Sequence, residues 1–278
     1  MGVLTGINTG IIKSPKGVLA IVLKASSTPA IEHLLYLPPD RLQELMFATC
    51  SCYRSLQMMH QHEPERIKNK VVADTQALSN NIPGVTLDEI HNPLIERRVT
   101  SFIMKHRQDN VRFLFFLQND EVVTLELTLT QMEYVLTMLL STVRNAEDAW
   151  LTSVCLDAND FTPFYTVDFS NAQHAGIKYQ QFDVPDWKSA VFEHYYSIIA
   201  TQHDGNITCG AIIKAGPALD NSRAGKIGQF LLQNNSLLLP YQKEIAKFDC
   251  MMLNVPGNEG DLDRLLRAHL EHRTMKLN

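Results

Sequence analysis

The feature that most constrains this chain is a junction. At Leu37-Pro38-Pro39-Asp40-Arg41-Leu42 an apolar run meets two prolines and turns at once into helical spacing. Proline brings no N–H to a β-ladder, but in the first turn of a helix that donor would go unused anyway. Residues 31–37 are therefore predicted to be a strand that stops at Pro38. Leu42, Leu45, Met46 and Thr49 mark the buried stripe of the helix that follows. Two further strands precede the junction, over residues 6–12 and 18–23, separated by the turn Ser14-Pro15-Lys16-Gly17.

The same order returns downstream. Strands are predicted over 99–106, 111–117 and 122–129, the last alternating Val123, Leu125, Leu127 and Leu129 against polar residues. Thr130-Gln131-Met132-Glu133 then reads as a capping box opening a second helix. A third pass gives strands over 164–169 and 177–182, then a helix from Pro185 carrying Phe192, Tyr195, Tyr196 and Ile199. A fourth gives strands over 207–214 and 226–232 and a helix from Pro240 to Met251, with residues 215–228 as a candidate mobile loop. Pro38, Thr130, Pro185 and Pro240 stand 92, 55 and 55 residues apart. The fold expected is α+β: up to four tandem strand-strand-strand-helix modules, with antiparallel sheets and helices packed on one face. The alternative is that any α+β chain shows strands leading into capped helices. The division expected is 1–150 and 151–278, two modules each, with an amphipathic helix over 260–275 closing the second.

The spacing leaves one stretch unaccounted for, residues 54–98, inside the first module. Pro64 is expected to kink or end the first helix, Asn80-Asn81-Ile82-Pro83-Gly84 to break the chain, and Thr86-Leu87-Asp88-Glu89 to start a new cap. An insertion of this kind is the natural place for a functional or partner surface.

Composition removes several classes. With 45% apolar and 20% charged residues the chain is globular, and it holds no uncharged apolar run of membrane-spanning length. Five irregularly spaced cysteines fit free thiols in a reducing compartment, and the N-terminal residues lack the pattern of a signal peptide. A soluble cytoplasmic protein is expected.

No stretch carries a recognisable catalytic or nucleotide-binding motif, and no cofactor is implied. The most ligand-like cluster is His60, His62 and Glu63, but two imidazoles at i, i+2 on a helix point apart, so a solvated helix face is the plainer account. Arg97, Arg98, Lys105, Arg107 and Arg112 gather on two adjacent strands, where alternation would set several on one face as a small nucleic-acid patch. The net charge of −5 argues mildly against a protein that coats nucleic acid.

Gly6-Ile7-Asn8-Thr9-Gly10-Ile11-Ile12 and Leu35-Tyr36-Leu37-Pro38-Pro39-Asp40 resemble the enterobacterial YjeJ-type proteins. The resemblance implies a bacterial cytosolic protein and carries no activity with it. The function expected is a non-enzymatic interaction or regulatory protein that self-associates or binds a partner protein, without a membrane. The alternatives are an enzyme of unrecognised type, or a nucleic-acid binder using the basic patch.

Overall fold

A computed structural model describes all residues except 1, 108, 170–177, 218, 255–263, 267 and 270–278. The chain divides into two compact units, residues 1–159 and 160–278.

The first unit contains the two regular passes. β1 (Gly2–Ser14), β2 (Gly17–Ser27) and β3 (Ile31–Leu37) form an antiparallel meander that runs into α1 (Pro39–His62). Pro39 sits in the first turn of that helix, and the Leu42 N–H donates to the Pro38 carbonyl at 2.9 Å, as the junction requires. Pro64 ends α1 and opens α2 (Pro64–Ser79), and after α3 (Leu87–His91) a second meander follows: β4 (Val99–Arg107), β5 (Asn110–Leu117) and β6 (Val122–Thr128). It leads into α4 (Met132–Asn145) and α5 (Ala149–Asp157).

The two meanders join into one six-stranded sheet of order β3-β2-β1-β6-β5-β4. Their seam is short: β1 and β6 pair in parallel only at Gly2↔Leu125 and Val3↔Glu126. Gln131, a buried side chain, reinforces it by donating to the Leu4 carbonyl at 3.1 Å and accepting from the Thr128 N–H at 3.0 Å. The cap expected at Thr130 and Glu133 lies two residues earlier, as a capping box of Thr128 and Gln131, and both Thr128 and Thr130 turn their hydroxyls onto Asp74 of α2. At the far edges the sheet curls until Tyr36 of β3 makes a parallel bridge to Arg98.

One face of the sheet presents Ile7, Ile21, Leu23, Leu35, Phe113 and Phe115 to α1 and α4, whose Leu42, Met46, Phe47, Cys52, Val135 and Leu139 are buried on it. Each buried side chain of this size contributes about 1.5–3 kcal/mol by leaving water.

The second unit is also α+β, and here the expected elements shift. β7 (Phe161–Asp168), β8 (Lys178–Gln181), β9 (His194–Gln202), β10 (Ile207–Ala215) and β11 (Ile245–Leu253) make an antiparallel sheet of order β11-β9-β10-β7-β8. The helix expected from Pro185 ends after one turn as α6 (Asp186–Ser189), and residues 194–202 are a strand buried on both faces. A run such as Tyr195-Tyr196-Ser197-Ile198-Ile199 suits both spacings, and pairing with β10 and β11 decided between them. The helix expected from Pro240 is a single 3-10 turn, Leu239–Tyr241, followed by β11. Residues 226–232, read as a strand, lie instead in α7 (Asn221–Asn234), as does most of the loop expected over 215–228. Its buried Ala224, Ile227, Gly228, Leu231 and Leu232 follow helical spacing, and Asp220 caps its start by accepting from the Arg223 N–H at 2.7 Å. Among the described residues the strand-strand-strand-helix module therefore occurs twice, both times in the first unit, and the described elements of the second unit do not follow the 55-residue spacing. Of the helix expected over 260–275, residues 264–266 and 268–269 are helical. The others lie outside the described residues.

α7 packs on one face of this sheet, with Gly228 set directly against the Phe248 ring. The bidentate pair of Arg223 and Asp160 (2.7 and 2.5 Å) fixes its first turn.

Candidate interaction surface

The segment the sequence isolated is laid over the sheet in the first unit. After α2 the chain crosses to the face opposite α1 and α4, and residues 80–92 lie as a strap across β1, β2 and β3. Alternation along β1 prepares its seat: Ile7, Thr9 and Ile11 share the α4 side, where the Thr9 hydroxyl meets that of Thr142, while Gly6, Asn8, Gly10 and Ile12 face the strap.

Two glycines permit the close approach. A Cβ at Gly6 would stand 1.8 Å from the Asn81 carbonyl oxygen, and one at Gly10 would stand 3.2 Å from a Val85 methyl. Between them the Asn8 amide donates to the Pro83 carbonyl at 2.8 Å. Further across, Val85 and Ile90 pack on Ile12, Val22 and Tyr36, and the Tyr36 hydroxyl donates to the Glu89 carbonyl at 3.0 Å.

Glu89 is the hub. Its carboxylate closes the capping box of α3 by accepting from the Thr86 N–H at 2.7 Å, and it accepts from Lys24 of β2 at 2.8 Å. Burial pushes the Glu89 carboxyl up, but the hydrogen bonds from Lys24 and from Thr86 outweigh it and leave the group below the usual carboxylate value. The hydrogen bond to Glu89 likewise holds Lys24 above the ordinary lysine value. Both side chains are less than one-fifth exposed, so the pair is screened far less than a surface salt bridge.

The strap and the turn that follows it still present large apolar side chains to solvent. Leu87 is 72% exposed and Ile95, in the 3-10 turn Ile95–Arg97, is 74% exposed. Ile82 and Leu94 are also exposed. Leu87 and Ile95 are the two most exposed large apolar residues among those described. The sequence pointed to the segment through its misfit with the module, but not to these residues, which follow neither a helical nor a strand period.

The basic residues divide. Lys105, Arg107 and Arg112 do share one face of β4 and β5, with Lys105 directly opposite Arg112. Arg112 is already paired with Glu126 of β6 at 3.2 Å, and Arg97 with Glu121 at 2.8 Å. Arg97 and Arg98 lie at the other end of β4 from Lys105 and Arg107, so the five do not converge. His60 and His62 are exposed on the last turn of α1, and Glu63 pairs with Arg66. Among the described residues no three His, Cys, Asp or Glu side chains converge as a metal site would need. Burial pushes all five thiols above their ordinary value, those of Cys52, Cys155 and Cys209 to about 12. An activated nucleophile needs the opposite shift. No described helix is long and apolar enough to cross a membrane.

The family model described as YjeJ-like matches residues 1–278. The chain is 25% identical over 259 residues to the uncharacterized protein YjeJ of Escherichia coli (strain K12), covering 90% of this chain and 86% of that relative. No solved structure matches. The glycines and the Tyr36 of the resembling N-terminal stretches are those that receive the strap.

Proposed function

This chain belongs to the YjeJ-like family, and we propose that it is a non-enzymatic interaction or regulatory protein of the cytoplasm. It acts by binding a protein chain, in the first instance a second copy of itself, through the strap on its first unit. The observation that carries the reading is the exposure of Leu87, on a segment fixed to the sheet by Lys24, Tyr36 and Asn8, and of Ile95 in the 3-10 turn that follows it. Apolar side chains on a rigid support bind without the entropy cost of ordering a loop, and exposed apolar surface on a folded chain marks interaction sites. The nucleic-acid alternative draws less support, since Arg97 and Arg112 are neutralised by glutamates.

Light scattering on the full-length chain tests this against a Leu87→Asp/Ile95→Asp variant. The expected result is a discrete oligomer for the unmodified protein and a monomer of unchanged melting temperature for the variant. A monodisperse monomer in both, with no co-purifying protein, overturns the reading.

A further inference from the structure

A cavity of about 430 Å³ opens in the second unit where β8 ends, a size usual for small-molecule sites. Phe182, just after β8, donates its N–H to the Phe164 carbonyl of β7 at 2.9 Å, which holds the two residues side by side. The chain then turns through α6, where the Ser189 N–H donates to the Pro185 carbonyl at 3.0 Å. Asp183, Asp186 and Ser189 thereby join Phe164, Gln181 and Phe182 in the lining.

The polar groups of this lining are largely unspent. Lys214 of β10 donates to the Ser189 carbonyl at 3.1 Å and to the Ser189 hydroxyl at 3.4 Å, and its ammonium stands 5.6 Å from the centre of the Phe164 ring. The Ser189 oxygen accepts from Lys214, so its own proton remains to be donated. Among the described residues, no side-chain hydrogen bond or ion pair engages Asp183, Asp186 or the Gln181 amide.

We propose that this cavity binds a neutral polyol, the ring of a pyranose sugar. The mixture of donors and acceptors selects the class. An anion would face two carboxylates. A hard metal ion needs a fuller shell of carboxylate and carbonyl oxygens than two aspartates begin. An organic cation brings no acceptor, so it would leave the Ser189 proton and the Gln181 N–H unmet, and the ammonium beside Ser189 already offsets part of the aspartates' charge. A sugar hydroxyl is donor and acceptor at once: it gives its proton to an aspartate and accepts from Ser189 or Gln181. Hydrogen bonds to a charged acceptor are the stronger kind. The apolar C–H face of the ring finds its complement in Phe164 and Phe182.

Titration of the full-length chain followed by NMR tests the site, with glucose, galactose, mannose and N-acetylglucosamine as probes at millimolar concentration. Maltotriose, spermidine and calcium ion are run beside them. The expected result is saturable binding of at least one sugar that moves the Gln181 side-chain amide and Ser189 signals. In Asp183→Asn/Asp186→Asn the same sugar is expected to bind at least about tenfold more weakly at an unchanged melting temperature, since both aspartates are exposed. Tighter binding of maltotriose than of glucose assigns the ligand to a glycan chain, and equal binding to free sugar. Should the double variant fail to fold, the signals of Gln181 and Ser189 in the unmodified chain decide alone. Binding of spermidine or calcium without any sugar, no binding of any sugar, or a variant that binds as the unmodified chain does overturns the proposal.

Discussion

Replacing Gly6 by alanine adds one methyl group and tests the seat of the strap. The Cβ would lie 1.8 Å from the Asn81 carbonyl oxygen and 2.9 Å from its carbon, both backbone atoms that no rotamer change can move aside. Gly6 does not have a positive φ, so alanine brings no dihedral strain and the effect is steric. The strap must shift by an ångström or more. Overpacking of this kind costs about 1–3 kcal/mol, and the shift also stretches the bond from Asn8 to the Pro83 carbonyl, a loss of about 1 kcal/mol. For a unit of 159 residues each kcal/mol moves the melting temperature by about 2–4 °C. Gly84→Ala is the matched control on the strap itself: nothing lies within 4 Å of its Cβ and its φ is not positive. That change is expected to be neutral or to stabilise by about 0.4–1 kcal/mol through the unfolded chain. Thermal unfolding gives the difference between the variants, and hydrogen exchange over residues 80–92 locates it. If Gly6→Ala melts with Gly84→Ala and its strap stays protected, the strap is not seated as described.

Four further outcomes follow from the geometry. Glu89 titrates below its ordinary value, so its contribution is complete above about pH 4.5 and fades as pH falls through the folded-state value; Lys24 titrates above its own, so its contribution holds until pH exceeds about 10.5. Strap protection is therefore expected to fall below pH 4.5 in the unmodified chain and to be weaker but pH-independent there in Glu89→Gln, as exchange at Thr86 to Asn92 would record. Gly228→Ala drives a Cβ to 2.4 Å from the Phe248 ring and is expected to destabilise the second unit by about 1–3 kcal/mol, with recovery in Gly228→Ala/Phe248→Leu. Gly225→Ala, whose Cβ meets that ring only at 4.0 Å, should instead stabilise α7 by up to about 1 kcal/mol in a denaturant titration. Cys52, Cys155 and Cys209, with thiols near pH 12, are expected to resist a thiol reagent at pH 8 until denaturant is added, and rapid labelling of the native chain would contradict their burial.

The chain by itself determined most of the local elements of the first unit. Pro38-Pro39 forced a strand to become a helix, strict alternation over Val123, Leu125 and Leu127 set a half-buried strand, and Pro64 divided α1 from α2. These are local effects: a missing N–H, a period of two, a ring that clashes with the preceding turn. Thr86 and Glu89 were likewise legible as a cap, because the capping box closes within four residues. What lay beyond the sequence was non-local. Residues 194–202 satisfy helix and strand spacing equally, and only neighbours on both sides made them β9. Gly6 and Gly10 gave no sign of their purpose until residues 80–92 lay across them. Glu89 showed its capping role in the sequence but not Lys24, 65 residues away, which ties the cap to the sheet. The exposure of Leu87 and Ile95 is a property of the fold alone, since whether an apolar side chain is covered depends on what the rest of the chain places over it.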